Sequence, residues 1–243
     1  MQSSKHYSRA PLTEALIDLR VTLPTEITLE TLANIHPHIN DRFPIIEKIH
    51  AGTIVFQPDQ NTPTATSEEN GFLFKSQDGL EIFQATLQGF TFNRLAPYTH
   101  WEELRDNARY VWGIYMHVCK PTVVTRIATR FTNRFELPGP IVDLKDYLQT
   151  SPEVAPGLPK TQLSDFFMQL HIPQEECMLI VTEASAPPAN PGTFSIILDF
   201  DLFREQIWKS DDEEIWHFLE KLRLLKNSAF EANITDKTRG LII

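Results

Sequence analysis

Two segments of alternating hydrophobic and polar residues stand out along the chain. In residues 14–23 the apolar side chains occupy every second position, at Ala15, Ile17, Leu19, Val21 and Leu23. Residues 126–137 repeat the alternation, with Ile127, Thr129, Phe131, Asn133, Phe135 and Leu137 on one side. A period of two predicts a β-strand with one buried face. Both segments run into a Leu-Pro pair, and because proline has no amide hydrogen, we expect each strand to end there.

Each predicted strand is followed by a similar series of elements. A short helix is expected at residues 29–39 in the first series and at 144–149 in the second. Apolar runs then predict strands at 45–56, 71–75, 80–87 and 90–95, and in the second series at 178–183 and 194–201. A long amphipathic helix closes each series, with apolar stripes from Leu104 to Cys119 and from Ile215 to Phe230. Thr99 and Ser210 each precede a glutamate by three residues, which predicts a capping box at both helix starts.

The repeated order of elements predicts an α+β fold built from a duplicated unit of strand, helix, antiparallel strands and helix. The two units span roughly residues 10–119 and 120–243 of a single domain. This order resembles the saddle-shaped fold of the TATA-binding-protein type. The resemblance implies a curved antiparallel sheet with helices on one face and the first strands of the two units at its centre. Two separate ferredoxin-like domains are the alternative.

Four phrases of the sequence carry a closer resemblance. They are "APLTEALIDLRV", "LQGFTFNRLAPYTHWEELRD", "TRIATRFTNRF" and "LRLLKNSAFEANITDKTRGLI". Together they resemble a sporadically distributed family of bacterial proteins of about this length that has no assigned activity. This chain departs from the family pattern at Ala128 and Phe131, where glycine and tyrosine are usual. A sporadic distribution is typical of defence or toxin-neutralising cassettes, and the family provides no catalytic residues to transfer.

Composition and charge narrow the functional classes. The chain has 243 residues, of which 42% are hydrophobic and 22% charged, as in ordinary globular proteins. Its 32 acidic and 22 basic side chains give a formal charge of −10, which disfavours nucleic-acid binding and suits a basic protein partner. No apolar run approaches the roughly 18 residues of a membrane span, so we expect no membrane partner and a cytoplasmic location. The two cysteines lie far apart without metal-ligand spacing, which indicates free thiols.

A ladder of three arginines is the first candidate site. Arg126, Arg130 and Arg134 lie on one side of the second alternating strand, about 13 Å apart at roughly 3.3 Å per residue. If the two alternating strands are neighbours, Glu14, Asp18 and Arg20 lie beside the ladder. One interpretation is cross-strand ion pairing of the arginines with Glu14, Asp18 or Glu136 on an exposed sheet face. The other is recognition of an anionic ligand or an acidic partner surface by the arginines.

A pair of aspartates is the second candidate site. Asp199 and Asp201 share one side of the predicted strand in "ILDFDLF", a pattern that can hold Mg²⁺ for chemistry on phosphates. No glycine-rich phosphate loop accompanies the pair, and solvated carboxylates at a strand end are the simpler interpretation.

The sequence therefore favours a non-catalytic bacterial interaction protein that binds a protein partner or an anionic ligand through its polar sheet face, without a cofactor. A Mg²⁺-dependent enzyme acting on nucleotides or phosphates through Asp199 and Asp201 is the alternative. A nucleic-acid binder that uses the arginine ladder is the second alternative, and the sequence leaves self-association open.

Overall fold

A computed structural model describes residues 7–55, 64–98, 100–140 and 142–243. The strands within these residues are β1 (Leu12–Thr22), β2 (Ile45–Val55), β3 (Thr64–Lys75), β4 (Glu81–Thr86), β5 (Gly89–Leu95), β6 (Val123–Pro138), β7 (Phe167–Pro173), β8 (Met178–Ala186) and β9 (Thr193–Lys209). The helices are α1 (Leu29–Ala33), α2 (Trp101–Cys119), α3 (Glu214–Asn233) and α4 (Asp236–Ile242). Short 3₁₀ turns lie at His36–His38 and Leu144–Asp146.

All nine of these strands belong to one antiparallel sheet. Its strand order is β2-β3-β4-β5-β1-β6-β9-β8-β7, so β1 and β6 are neighbours near the middle. The two segments of alternating residues are thus the adjacent strands that the sequence predicts, and β6 ends at the expected proline. The α+β class and the antiparallel sheet are confirmed.

The connections on the two sides of this central pair follow one scheme. β1 pairs with β5, the strand that precedes α2, and β6 pairs with β9, the strand that precedes α3. Helix α2 then packs against β5 and β1, and helix α3 packs against β9 and β6. The sheet has four outer strands on the β1 side and three on the β6 side.

The register of the central strands separates an apolar face from a polar face. Ile17 lies between Phe92 and Thr129, and all three are buried on the side that the helices cover. The adjacent Asp18 lies between Thr91 and Ala128 on the opposite side. Aromatic contacts tie the helices to the apolar face; the ring pairs are Phe90–Trp112, Trp101–Phe131 and Phe200–Phe230.

Ion pairs join the two long helices above the core. Glu220 of α3 accepts a hydrogen bond of 2.7 Å from the indole Nε1 of Trp101 and another of 2.7 Å from Nη1 of Arg105. Burial acts to raise the pKa of Glu220, but these hydrogen bonds outweigh it and hold the pKa below its usual range. The charged form of Glu220 therefore links α2 to α3.

The long periodic helices agree with prediction, and the short elements agree less well. The stripe of α2 from Leu104 to Cys119 is buried, as are Ile215, Phe218, Leu219 and Leu222 of α3. The helix expected at 29–39 is a short α-helix followed by a 3₁₀ turn, and the one expected at 144–149 is a single 3₁₀ turn. Strand β7 and helix α4 were not predicted.

The capping prediction at Ser210 is wrong. The four residues 210–213 separate β9 from helix α3, which begins at Glu214, and the first N–H of the helix donates to the Asp212 carboxylate at 2.9 Å. The corresponding prediction at Thr99 lies outside the described residues. Cys119 and Cys177 are both free thiols. Among the described helices, none is both long and apolar enough to cross a membrane.

The buried stripe of α3 gives the first test. Leu222→Ala should reduce the free energy of unfolding by about 2 to 5 kcal/mol, because it removes a fully buried side chain and leaves a cavity. For a chain of this size that loss lowers Tm by about 4 to 20 °C, measured by thermal unfolding. Lys221→Ala is the neighbouring control on the exposed side, where ion pairs contribute about 0 to 1 kcal/mol. Equal effects of the two changes on Tm would contradict the assignment of this side of α3 to the core.

Candidate binding face

The sequence-predicted site residues of both candidates lie on the side of the sheet opposite the described helices, which we call the polar face. Arg126, Arg130 and Arg134 project from β6, Glu14, Asp18 and Arg20 from β1, and Asp199 and Asp201 from β9. The antiparallel register places β1 and β9 on the two sides of β6. The structure thus brings the arginine ladder and the aspartate pair into one surface.

Asp18 is the centre of the first charged cluster on the polar face. Its carboxylate accepts hydrogen bonds from Nη1 of Arg126 at 2.9 Å, Nε of Arg20 at 3.2 Å and Oγ1 of Thr91 at 2.8 Å. The Arg126 guanidinium also lies over the ring of Phe203, 4.3 Å from its centroid. Three donors from three strands therefore fix a carboxylate that is almost fully buried.

Asp199 is the centre of the second cluster. Nε of Arg130 lies 2.9 Å from each of its carboxylate oxygens, and Oγ1 of Thr132 donates to Oδ1 at 2.7 Å. The interpretation of Asp199 and Asp201 as solvated carboxylates at a strand end is wrong. Both lie inside the 17-residue strand β9, and Asp199 is buried because the neighbouring β6 supplies its hydrogen-bond donors.

Asp201 and Glu14 are two further acidic side chains of the central strands. Burial raises the pKa of Asp201, and the nearby carboxylates of Asp199 and Asp18 add to this effect against the pull of Arg126 and Arg130. The nearest ion-pair contact of Asp201 is Nη2 of Arg126 at 3.6 Å. Glu14 accepts a hydrogen bond from the side-chain amide of Asn93, so its partner is an amide rather than an arginine of the ladder.

Arg134 forms a separate cluster at the end of the ladder. Its Nε donates to Glu136 at 3.0 Å, two residues further along the same strand, and Oγ1 of Thr193 donates to the other oxygen of Glu136 at 2.8 Å. Burial acts to raise the pKa of Glu136, but the hydrogen bonds from Ser195, Thr193 and Arg134 lower it overall. Arg134 and Glu136 thus form an ion pair within one strand, whereas the sequence-based interpretation was a pair across strands.

The polar face is layered, with carboxylates beneath guanidinium groups. The side chains of Asp18 and Asp199 are 8% and 3% exposed, whereas those of Arg20 and Arg130 are 45% and 50% exposed. Arg130 donates through Nε alone among the described residues, so both of its terminal nitrogens point to no described acceptor. The outermost groups of these two clusters are therefore guanidiniums, although the whole chain carries a charge of −10.

The same layering bears on the metal alternative. Both oxygens of Asp199 already accept hydrogen bonds from Arg130, so a divalent cation would have to displace a guanidinium from this carboxylate. Within the described residues no group of three or more histidine, cysteine, aspartate or glutamate side chains has the arrangement of a metal site.

Two titratable groups that sequence reasoning missed lie on the other side of the sheet. Glu183 of β8 is fully buried beside Leu198, and neither carboxylate oxygen has a hydrogen-bond partner among the described residues. Burial raises its pKa from the usual 4.5 to about 7. The signal in the sequence is the alternation Leu179, Val181, Glu183, which places a carboxyl at the next core position of the strand.

Lys226 of α3 is the second missed group. Its Nζ lies 4.0 Å from the centroid of the Phe131 ring, directly behind the arginine ladder. Burial lowers its pKa to about 8, and the neighbouring charge of Arg223 acts in the same direction. Lys226 follows Leu222 by four residues, so it lies on the same side of the helix as the buried stripe. This spacing is the feature of the sequence that could have indicated its position.

The buried carboxyl of Glu183 predicts a pH effect on stability. In the folded chain this carboxyl stays protonated up to about pH 7, whereas in the unfolded chain it ionises near pH 4.5. The free energy of unfolding therefore falls as pH rises through this range, because ionisation favours the unfolded chain. Glu183→Gln cannot ionise. Its stability relative to the unchanged protein should rise by an amount on the order of 3 kcal/mol between about pH 5 and about pH 8.

Urea unfolding at several pH values measures this difference. Glu205→Gln, which changes an exposed carboxylate of β9, is the control and should track the unchanged protein. Parallel pH profiles for Glu183→Gln and the unchanged protein would contradict a carboxyl that is protonated in the folded state.

Comparison with models of known protein families and with curated protein sequences gives no match for this chain. The role of the polar face is therefore inferred from its own side chains.

Proposed function

We propose that the chain is a non-catalytic interaction protein that binds a protein partner through the polar face. The observation that carries this proposal is the exposed guanidinium layer of Arg20 and Arg130, held on buried carboxylates in the middle of the sheet, on the side opposite the described helices. Arginine presents several donors in a planar fork that matches a carboxylate. Surfaces of this kind recognise another macromolecule without enclosing a small substrate.

Preorganisation supports binding at this surface. Each of the two buried aspartates fixes an arginine through a charge-assisted hydrogen bond of 2.9 Å, and the strands that carry these residues belong to one continuous sheet. The conformational entropy of the arginine side chains is then partly lost before a partner arrives, which lowers the cost of association.

The sign of the exposed layer favours acidic groups on the partner. A carboxylate can accept from the two terminal nitrogens of Arg130, which have no described acceptor. The basic partner that the net charge suggests would instead meet the carboxylates, and those are the buried members of the clusters. We therefore propose an acidic contact surface on the partner, and retain a defence or toxin-neutralising setting as part of the proposal.

We further infer that two related units form this face, residues 10–119 and 120–243 of a single domain. Support comes from the shared scheme in which the first strand of each unit pairs with its last strand, and the following helix packs on both. In such an arrangement the arginine ladder belongs to the second unit and its Asp18 partner to the first. The polar face would then exist only where the two units meet.

Removal of one buried ion pair tests the binding role. The double change Arg130→Gln and Asp199→Asn removes the exposed guanidinium and its buried partner together, so no unpaired buried charge is left and the net charge is unchanged. Capture of partners from a lysate of the source organism on the immobilised chain should fall at least tenfold, as should binding of a labelled polyglutamate peptide. Lys221→Gln with Glu176→Gln removes an exposed pair outside the polar face and serves as the matched control.

The metal alternative predicts a different pattern. Mg²⁺ or Mn²⁺ would raise Tm through preferential binding to the folded chain, and Asp199→Asn with Asp201→Asn would abolish that rise. A metal-dependent rise of this kind, together with partner capture that is insensitive to the Arg130 and Asp199 change, would replace the binding proposal with the enzyme hypothesis.

A further inference from the structure

The two edge strands of the sheet differ in their protection against pairing with another chain. On β2, Glu47 and Lys48 form ion pairs with Lys75 and Glu69 of the neighbouring β3. Charged side chains on an edge strand oppose the approach of a further strand, because pairing would remove them from water. This edge therefore has a recognisable protective device.

The opposite edge, β7, has no charged side chains of this kind. Its sequence from Phe167 to Pro173 is FMQLHIP and contains no aspartate, glutamate, lysine or arginine. Phe167 is 70% exposed and Ile172 is 37% exposed. One side of β7 pairs with β8, and the other side pairs with no strand that the structure describes. An uncharged edge with exposed apolar side chains is a template for strand addition.

We propose that β7 pairs antiparallel with β7 of a second copy of this chain, centred on Leu170. Reading outwards from that centre, Gln169 faces His171, Met168 faces Ile172, and Phe167 faces Pro173. Each facing pair is chemically matched, with apolar groups against apolar groups and an amide against an imidazole. This near-palindromic order is what a two-fold symmetric pair requires, since the same patch must complement itself.

The side chains of β7 also lie on the correct faces for this pairing. Leu170 shares a face with Val181 and Phe200, which are buried, whereas Gln169 and His171 are on the polar face beside Thr182 and Ile180. A two-fold axis between antiparallel strands stands perpendicular to the sheet, so each face continues into the same face of the partner copy. Two polar faces then lie on one side of a joined sheet. If each polar face binds a partner, as the proposed function holds, the dimer binds bivalently.

The interface is small, and this sets its strength. Seven residues from each copy pair, and Pro173 closes the pairing because it has no amide hydrogen. Interfaces of this size belong to the weak, concentration-dependent class. Because each copy carries a charge of −10 and no ion pair lies in the register, added salt should strengthen the dimer by screening repulsion between the copies.

A pair of matched variants tests the register. Gln169→Lys with His171→Lys places like charges opposite each other at two positions, whereas Gln169→Lys with His171→Glu places opposite charges there. Both positions are exposed, so neither variant removes a core contact, and thermal unfolding checks that each is folded. The doubly basic variant also carries less net negative charge than the other variant. General repulsion between copies would therefore weaken its dimer less, which is the opposite of the expected result.

Sedimentation equilibrium over a micromolar concentration series measures the outcome. The unchanged full-length chain should show a monomer–dimer equilibrium. Its dissociation constant should rise at least tenfold in the doubly basic variant and stay within about threefold in the variant with opposite charges. A chain that is monomeric at every concentration, or two variants that behave alike, would overturn the proposal, as would a β7 edge that pairs only with a different protein.

Discussion

The antiparallel pairing of β1 with β6 is the interaction on which the rest of the structure depends. In its register Ile17 lies opposite Thr129 within the core, and Asp18 lies on the other side next to Arg126. Because side chains alternate along a strand, a slip of one residue would place Asp18 in the core and Ile17 in water. The core and the polar face are therefore set by a single choice of register, and neither can be altered without the other.

Buried carboxylates on the polar face reinforce that choice. The net stabilisation from a buried ion pair is small, because desolvation of the charges offsets their attraction, but the loss of one partner costs about 3 to 5 kcal/mol. Asp199 finds Arg130 and Thr132 only when β6 and β9 align in the observed register. The charged clusters thus contribute more to the selection of one alignment than to total stability, and the same rigidity suits a surface that is proposed to bind a partner.

Much of this architecture is readable from the sequence where periodicity is strong. β1, β6 and the stripes of α2 and α3 are long, regular and mostly buried on one side, so local pattern alone is sufficient. Strand β7 was missed because it is a short edge strand with exposed residues on both faces, which weakens its hydrophobic signal. The burial of Asp199 could not be predicted, because its donors come from residues 67 and 69 positions away, and that register is not a local property.

The position of β1 also has a consequence for synthesis of the chain. β1 ends at Thr22, but its partners β5 and β6 begin at Gly89 and Val123. At roughly 5 to 20 residues per second, the ribosome needs several seconds to deliver the first of these partners. Throughout that interval Ile17, Leu19 and their apolar neighbours have no sheet to join, and pairings between residues so far apart in sequence form slowly. Of the nine described strands, the one that organises the finished protein is thus the one that waits longest for its first partner.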